Sequence, residues 1–349
     1  MKLLVTGGAG FVGNNVLRAA LARGHSVINL DALTSAASLS SIWDLQEDPG
    51  YTLEIHDLCE REGLEAVFDR HRPDAVIHLA KEGSVAQSIA DPMASFDTNV
   101  AGTGQLLEAA RGYWDRAGQP ASFRLHHVSS DKVFGSLPRV GTFTDYAALQ
   151  PGSPYAAMKA AADQFVTVWG ETYGLPILMS RGPSLYGPWQ HPEKLIPRTL
   201  MRALAGWEIP LLGDGTQVRQ WLHVEDFARA LLTITEKGAP GERYNIGSGV
   251  EMRNIDLVRA VCRLLQLRRP AAMSYAHLIT HKADQPGHAA RRASDDTKLR
   301  ETLGWAPKTA FETGLAETVD WYLSHAGWWQ PMLDKANARP SAKSGRDAA

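Results

Sequence analysis

Only two cysteines, Cys59 and Cys262, occur in 349 residues, and thiols so far apart offer neither a disulfide framework nor the close spacing of metal ligands. Both read as small, buried apolar residues, and no metal is expected. Charge of one sign is equally scarce. The 36 Lys+Arg against 38 Asp+Glu give a formal net charge of −2, without the basic excess that marks a nucleic-acid partner. No apolar run reaches the roughly 20 residues that cross a bilayer. Met1 to Thr6 runs into glycine-rich sequence rather than the apolar core of a secretory signal, and no internal repeat is visible. These absences exclude membrane, fibrous and disulfide-stapled classes and leave an expected cytoplasmic globular protein. With 44% hydrophobic residues, the chain can bury a large core, and its length favours two lobes.

What is present begins with a short apolar strand over residues 2–6, a glycine turn and a helical pattern through Val16, Leu17, Ala20 and Leu21. Gly7 and Gly10 let the backbone turn tightly and approach a pyrophosphate seated on the helix N-terminus, with Phe11 and Val12 in the same turn. Gly13 lets helix and sheet pack closely. The next strand, residues 26–30, ends at Asp31, eighteen residues beyond Gly13. A carboxylate there can accept the ribose hydroxyls of NAD and repels the 2′-phosphate of NADP. Its plainer use is to cap the loop that follows.

Strand and helix then alternate through residues 51–55, 60–70 and 75–79. Asp57 and Leu58 follow one strand and would flank an adenine; Leu79 and Ala80 follow the next and would lie along the cofactor. One helix is expected from Met93 to Trp114, carrying Thr98 and Asn99 and an apolar side of Leu106, Leu107 and Ala110. The βαβ succession predicts an α/β fold with a doubly wound parallel sheet of the Rossmann type and a smaller C-terminal lobe.

The chemistry concentrates in residues 129–159. Ser129, Ser130, Asp131 and Lys132 follow the apolar run of Phe123, Leu125 and Val128, at the carboxyl end of a strand. Ser153 and Pro154 start a helix on which Tyr155 and Lys159 share a face. A phenol is a poor base at its ordinary pKa of about 10. A nearby ammonium and a cationic nicotinamide ring favour its ionised form, so Tyr155, Lys159 and Ser130 can remove a proton from an alcohol while a cofactor takes the hydride. Taken alone, a Tyr and a Lys four residues apart are ordinary helix surface.

Residues 6–13, Asp31, Ser130, Tyr155 and Lys159 resemble the extended short-chain dehydrogenase/reductase superfamily, whose members modify nucleotide sugars with tightly held NAD. Within it the chain is most similar to dTDP-glucose 4,6-dehydratases, through residues 123–135, 186–197, 217–226, 244–249 and 286–288 and the Trp328, Trp329 pair. The resemblance implies an NAD-binding domain over residues 1–184 with returning segments near 220–250. It also implies a nucleotide-sugar lobe over 185–334, while 335–349, without apolar period, reads as a disordered tail. Lys194, Arg219 and His288 would lie near the diphosphate or base, and Ser184 on the sugar-diphosphate segment; as bare residues the three cations also suit solvated surface. Asn245 would support the pocket wall.

The family mechanism gives Tyr155, Lys159 and Ser130 the oxidation of the sugar 4-hydroxyl. Asp131 would then protonate the departing 6-hydroxyl, and hydride return to C6 would leave a 4-keto-6-deoxy sugar. The chain departs from the family at several points. Lys132 stands where the dTDP-glucose enzymes carry the glutamate base for C5, a role open to lysine only when neutral; burial beside NAD and Lys159 is the expected cause. Ser184 and Leu185 replace two asparagines, residues 81–87 lack a family His and an Asp-Arg pair, and Ala289 replaces an Asp. A nucleotide-sugar 4-epimerase would need the same Tyr155, Lys159 and NAD but not Lys132, and a non-catalytic NAD sensor would need only the crevice. Family members commonly pair through the helix bearing Tyr155 and the helix around Thr98 to Trp114, so a homodimer using Ala160, Ala161, Phe165 and Val168 is the expectation, although the same residues suit ordinary core packing.

Overall fold

The computed structural model describes residues 1–34, 37–82 and 85–338. The chain first lays down β1 (Lys2–Thr6), β2 (Ser26–Asp31), β3 (Tyr51–Ile55), β4 (Ala75–His78), β5 (Arg124–Ser130) and β6 (Ile177–Gly182). It then leaves for a second lobe through β7 (Ser184–Tyr186), β8 (Ile209–Leu212) and β9 (Val218–His223). The helix Val224–Lys237 and β10 (Arg243–Asn245) return, completing a seven-stranded sheet of order β10-β6-β5-β4-β1-β2-β3. Every pairing in it is parallel.

Both faces of this sheet are covered, which is why its strands are apolar at successive positions rather than at alternate ones. Leu3, Val5, Ala75 and Ile77 turn to the side of the helices Phe11–Ala22 and Val224–Lys237. Leu4, Ile28, Val76 and Leu125 turn to the side of Arg61–His71, Thr103–Arg116 and Pro154–Tyr173. The second lobe has its own core of Tyr186, Leu200, Trp221, Val258 and Phe311. In it β9 is flanked by β7, β11 (Glu251–Arg253) and the two-residue β13 (Arg291–Arg292), while β12 (Ile279–Lys282) pairs with β8. No helix among the described residues is long and apolar enough to cross a membrane.

Three local expectations change. The helix anticipated from Met93 to Trp114 is Pro92–Phe96, a wide π turn Asp97–Gly102 and then Thr103–Arg116. Within that turn the Asn99 amide ties the Ser95 carbonyl to that of Glu82. Cys59 is exposed, because it lies in the loop after β3, whereas Cys262 is buried in the second lobe. Residues 335–338 of the expected tail end the helix Ala326–Ala338, and 339–349 lie outside the described residues.

Gly13 fixes how closely the first helix meets its turn: a Cβ there would stand 2.2 Å from the Gly7 carbonyl oxygen. Gly13→Ala is expected to lower stability by about 1–3 kcal/mol, seen as an earlier urea midpoint at unchanged slope. A wild-type midpoint would mean that the turn yields freely.

Candidate active site

Strand order reverses between β1 and β4, and open α/β sheets take ligands in the crevice above such a point. Gly7 leaves β1 with φ of 74°, and a Cβ would come within 2.8 Å of the Ala80 Cα, so only glycine suits this turn. Gly10 has one neighbour, the Gly7 oxygen at 3.3 Å from its notional Cβ, and its remaining side is open. It caps the helix Phe11–Ala22 without any side-chain bond. The amides of Phe11, Val12 and Gly13 thus offer an anion the positive end of a helix.

Asp31 stands beside this turn, buried, its Oδ2 accepting from Ala9 N (2.9 Å) and its Oδ1 from Leu33 N (2.8 Å). It therefore caps its loop and also pins the glycine turn. Burial raises its pKa against the opposing pull of these two amides, and each oxygen keeps a second lone pair for a hydroxyl. Phosphate donors and a ribose acceptor in one crevice fit a dinucleotide. Of the adenine candidates, Asp57 is exposed and accepts from Cys59 N, whereas Leu58 is buried in the core. The Leu79 and Ala80 amides are taken by Thr6 Oγ1, and Thr98 sits half-buried in the wide π turn.

At the reactive end, Ser153 caps the helix Pro154–Tyr173 by accepting from Ala156 N, and the free first-turn amide of Tyr155 donates to Ser88 Oγ at 3.0 Å. Lys159 is buried and donates to the Val128 carbonyl of β5 at 3.1 Å. Burial, then Asp131, raise the Tyr155 phenol above its ordinary pKa. Burial lowers Lys159 to about 8, with Lys81 adding and Asp163 opposing. Lys81 and Lys132 place their ammonium nitrogens 5.8 and 6.0 Å from the Tyr155 ring centre, within cation–π range.

Asp131 is 1% exposed. Its Oδ1 accepts from the Ser130 hydroxyl and its Oδ2 from Arg292 Nε, each at 3.2 Å, while Ser130 Oγ accepts from Lys132 N at 3.3 Å. Lys132 is pushed down to about 7 by burial, then by Arg292, Lys194 and Lys81 against the pull of Asp131. Burial is the expected cause; beside it, Arg292, Lys194 and Lys81 stand where Lys159 was expected.

From the second lobe, Lys194 caps the helix Leu195–Leu204 and is lowered to about 8 by loss of surrounding water and by Lys81, with Glu193 opposing. Arg219 is buried, giving Nη1 to the Val218 carbonyl and Nη2 to that of Ala289. His288 bonds Asp284 at 2.6 Å, and burial, then Arg219, lower its pKa against Asp284. Ser184 is half-buried on β7 opposite Trp221, and no contact ties it to these groups. Asn245 is buried, bonded to Asp145 and to the Phe143 carbonyl, as a wall residue would be. Of residues 81–87, Gly83 and Ser84 lie outside the described residues.

Four members of the site escaped sequence reasoning: Arg292, Lys81, Ser88 and Asp163. Asp163 lies one turn beyond Lys159, fully buried, with Arg181 Nε at 2.9 Å and His127 Nε2 at 3.3 Å. Burial works against its charge, but His127, Arg181 and Ser129 outweigh it and hold the carboxyl below its usual range. The i, i+4 spacing of Lys159 and Asp163 was the one available signal.

Comparison with known proteins gives one consistent answer. The family model of GDP-mannose 4,6 dehydratase matches residues 4–318. A dTDP-glucose 4,6-dehydratase of Escherichia coli is 43% identical over 97% of this chain and 98% of that protein. A crystal structure of a Streptomyces venezuelae dTDP-glucose 4,6-dehydratase with NAD bound superposes with a TM-score of 0.88 at 37% identity, covering 95% of this chain and all of that one. A Thermotoga maritima UDP-glucose 4-epimerase has a TM-score of 0.82 at 29% identity, covering 93% and 100%.

Asp163→Asn strands the buried Arg181 and is expected to cost about 3–5 kcal/mol, measured by thermal unfolding. Because the Asp163 carboxyl is held low, its contribution is fully present above about pH 4 and is lost as pH falls through the lower folded value. The variant's stability should lack that acid-side component.

Proposed function

Because the chain belongs to the extended short-chain dehydrogenase/reductase family of NAD-dependent nucleotide-sugar epimerases and dehydratases, we propose that it is a nucleotide-hexose 4,6-dehydratase, a lyase producing an NDP-4-keto-6-deoxy sugar. The observation that carries this reading is the assembly of Tyr155, Lys159, Ser130, Asp131 and Lys132 at one end of the dinucleotide crevice. Relatives named dTDP-glucose 4,6-dehydratases support it, and dTDP-glucose is the first substrate to offer. The exchanges at Lys132, Ser184, Leu185 and Ala289 make UDP-, CDP- and GDP-hexoses necessary companions.

In this reading the crevice of Gly7, Gly10, Phe11, Val12, Gly13 and Asp31 holds NAD, which supplies the acceptor and later the donor of the hydride. Tyr155 removes the proton of the sugar 4-hydroxyl, with Ser130 bonded to the same oxygen. Lys159 keeps positive charge beneath the phenol. A ketone at C4 acidifies the proton on C5, and the Asp131–Lys132 pair moves protons between C5 and the hydroxyl leaving C6. Arg219 and Lys194 face the diphosphate, arginine through paired hydrogen bonds. The likeness to 4-epimerases favours a second reading, in which C4 is oxidised and reduced from the other face. It gives no work to Asp131 and Lys132.

A homodimer is part of the same proposal. Phe165 and Val168 on the helix Pro154–Tyr173 are 39% and 45% exposed, beside Phe96 and Met93 at 39% and 64% on a neighbouring helix. Ala161 is half-buried there, whereas Ala160 packs inside its own chain against Val133 and Phe134 and is unavailable to a partner.

Incubation with NAD and the nucleotide-hexose panel should show loss of one water from one member by mass spectrometry; an isomer of unchanged mass would establish the epimerase. Tyr155→Phe should retain NAD and lower kcat about 10²–10⁴-fold. Phe165→Glu combined with Val168→Glu should turn a dimer into a folded monomer by light scattering, and an unaffected dimer would place the interface elsewhere.

A further inference from the structure

We propose that Trp189 and Trp328 are positioning residues for the cofactor: they fasten the second lobe and the C-terminal helix onto the glycine turn and the helix behind it, and so hold NAD in its crevice through turnover. This rests on the reading above that NAD is the working cofactor, and it applies to either fate of the sugar.

Two hydrogen bonds lead from the C-terminal helix to the glycine turn. Trp328 Nε1, on the helix Ala326–Ala338, donates to Ser38 Oγ at 3.2 Å, across 290 positions of sequence. Ser38 N in turn donates to the Ala9 carbonyl at 3.0 Å, while Ala9 N donates to Asp31 Oδ2 at 2.9 Å. Ala9 is thus held at its amide by the residue assigned to the ribose and at its carbonyl by a loop that the C-terminal helix grips. A shift of that loop would be felt where the pyrophosphate sits.

A second contact joins the same parts of the chain. Arg18, on the helix Phe11–Ala22, is fixed by Asp44 through both terminal nitrogens at 2.6 and 2.7 Å, by the Ser41 carbonyl and by Asn14. Its guanidinium carbon stands 5.7 Å from the Trp189 ring centre, within cation–π range. Trp189 in turn packs edge-on against Trp321 at 4.7 Å and Trp328 at 5.4 Å. It does so with φ of 68°, a left-handed backbone that disfavours any residue with a Cβ. A glycine would relieve that backbone and forfeit the ring.

The chemistry explains why retention matters. The hydride that leaves C4 returns to the same sugar, so reduced cofactor lost in mid-turnover would strand a ketone and leave the protein without its acceptor. Among the described residues, no contact of Trp189, Trp328, Arg18 or Ser38 involves Ser130, Asp131, Lys132, Tyr155 or Lys159. The sugar nucleotide can therefore exchange while this aromatic clasp stays shut.

The test follows release of radiolabelled NAD from loaded protein after a chase with excess unlabelled NAD. Trp328→Phe and Ser38→Ala, which remove the donor and the acceptor of one hydrogen bond, should each speed release about 2–10-fold. The double variant should be no faster than the quicker single one, because both act through the same bond. Trp189→Gly, which keeps the backbone turn and deletes the ring, should speed release about tenfold or more; should it fold poorly, the hydrogen-bond pair decides alone. Each variant should also need more NAD for half-maximal turnover, with excess NAD restoring kcat. Val258→Ala, in the second-lobe core and outside the clasp, measures the effect of lost stability alone: it should lower the thermal midpoint and release NAD at the wild-type rate. Wild-type release from folded Trp328→Phe and Ser38→Ala would overturn the proposal, as would equal acceleration by Val258→Ala at a matched loss of thermal stability. Release is read without sugar, so a chain that turns over no nucleotide hexose would lose the dehydratase reading while the chase still decides this one.

Discussion

Lys81, Lys132, Lys159, Lys194, Arg219 and Arg292 converge from separate stretches of chain on the space that Asp131 and the Tyr155 phenol face. Cations held this close oppose one another's charge, the more so at Lys159, Arg219 and Arg292, which are buried. Lys132, Lys159 and Lys194, lowered to about 7 to 8 first by loss of surrounding water and then by neighbouring cations, record that opposition in part. Such crowding is tolerable only where large apolar cores hold the backbone still, as they do for the helix Pro154–Tyr173 that carries Lys159 and for β9, which carries Arg219 and holds β13 with Arg292. A substrate bringing two phosphates would relieve the strain at the Lys194 and Arg219 end and leave the Lys132 end to chemistry.

Beneath the cleft, polar groups buried in the sheet fix where the reactive ones stand. Thr6 Oγ1 accepts from both Leu79 N and Ala80 N, so its own proton goes to His78 Nδ1 at 2.8 Å. The ring proton must then be on Nε2, donated to Thr103 Oγ1 at 3.1 Å, whose hydrogen goes to the Asn99 carbonyl. A neutral His78, its pKa driven down by burial and by His127 and Lys159, thus links the glycine turn to the wide π turn. Asp163 does the parallel task under Lys159, supplying the anion that keeps a buried ammonium tenable.

The parts of the site legible in the sequence are those whose function is local. Gly7, Gly10 and Gly13 act within one turn, Asp31 ends a strand, and Tyr155 and Lys159 are one helical turn apart and gain their meaning from the glycine turn and the Ser130 strand end that precede them in the sequence. Arg292 has no such mark: it belongs to a two-residue strand, its neighbour Arg291 pairs outward with Glu251, and only the β9 register turns it towards Asp131. Ser88 matters through a bond to an amide 67 positions away. The depression of Lys132 by burial was anticipated, but the neighbouring cation was expected to be Lys159, whereas Arg292 and Lys194 from the second lobe and Lys81 from the loop after β4 fill that part. The wide turn at Asp97–Gly102 escaped for the opposite reason: helical periodicity continues across it, and only the Asn99 side-chain bonds distinguish it.

Oxidation at C4 asks for a base, a supporting cation and a hydride acceptor, and the same Tyr155–Lys159 arrangement serves whether the ketone is next reduced from the other face or carried into elimination. The choice between those fates therefore does not lie in the dinucleotide crevice. It depends on whether a group near the sugar can exchange a proton with C5 at neutral pH. A lone lysine in water is almost wholly protonated there and a buried one without partners is unwelcome. The Asp131–Arg292 pair resolves this by placing a cation that lowers the Lys132 amine beside an anion that stops it from becoming permanently neutral. The exchange of a family glutamate for Lys132 and the buried Arg292 thus act in one electrostatic setting, in which burial lowers the amine first and Arg292 lowers it further against the pull of Asp131.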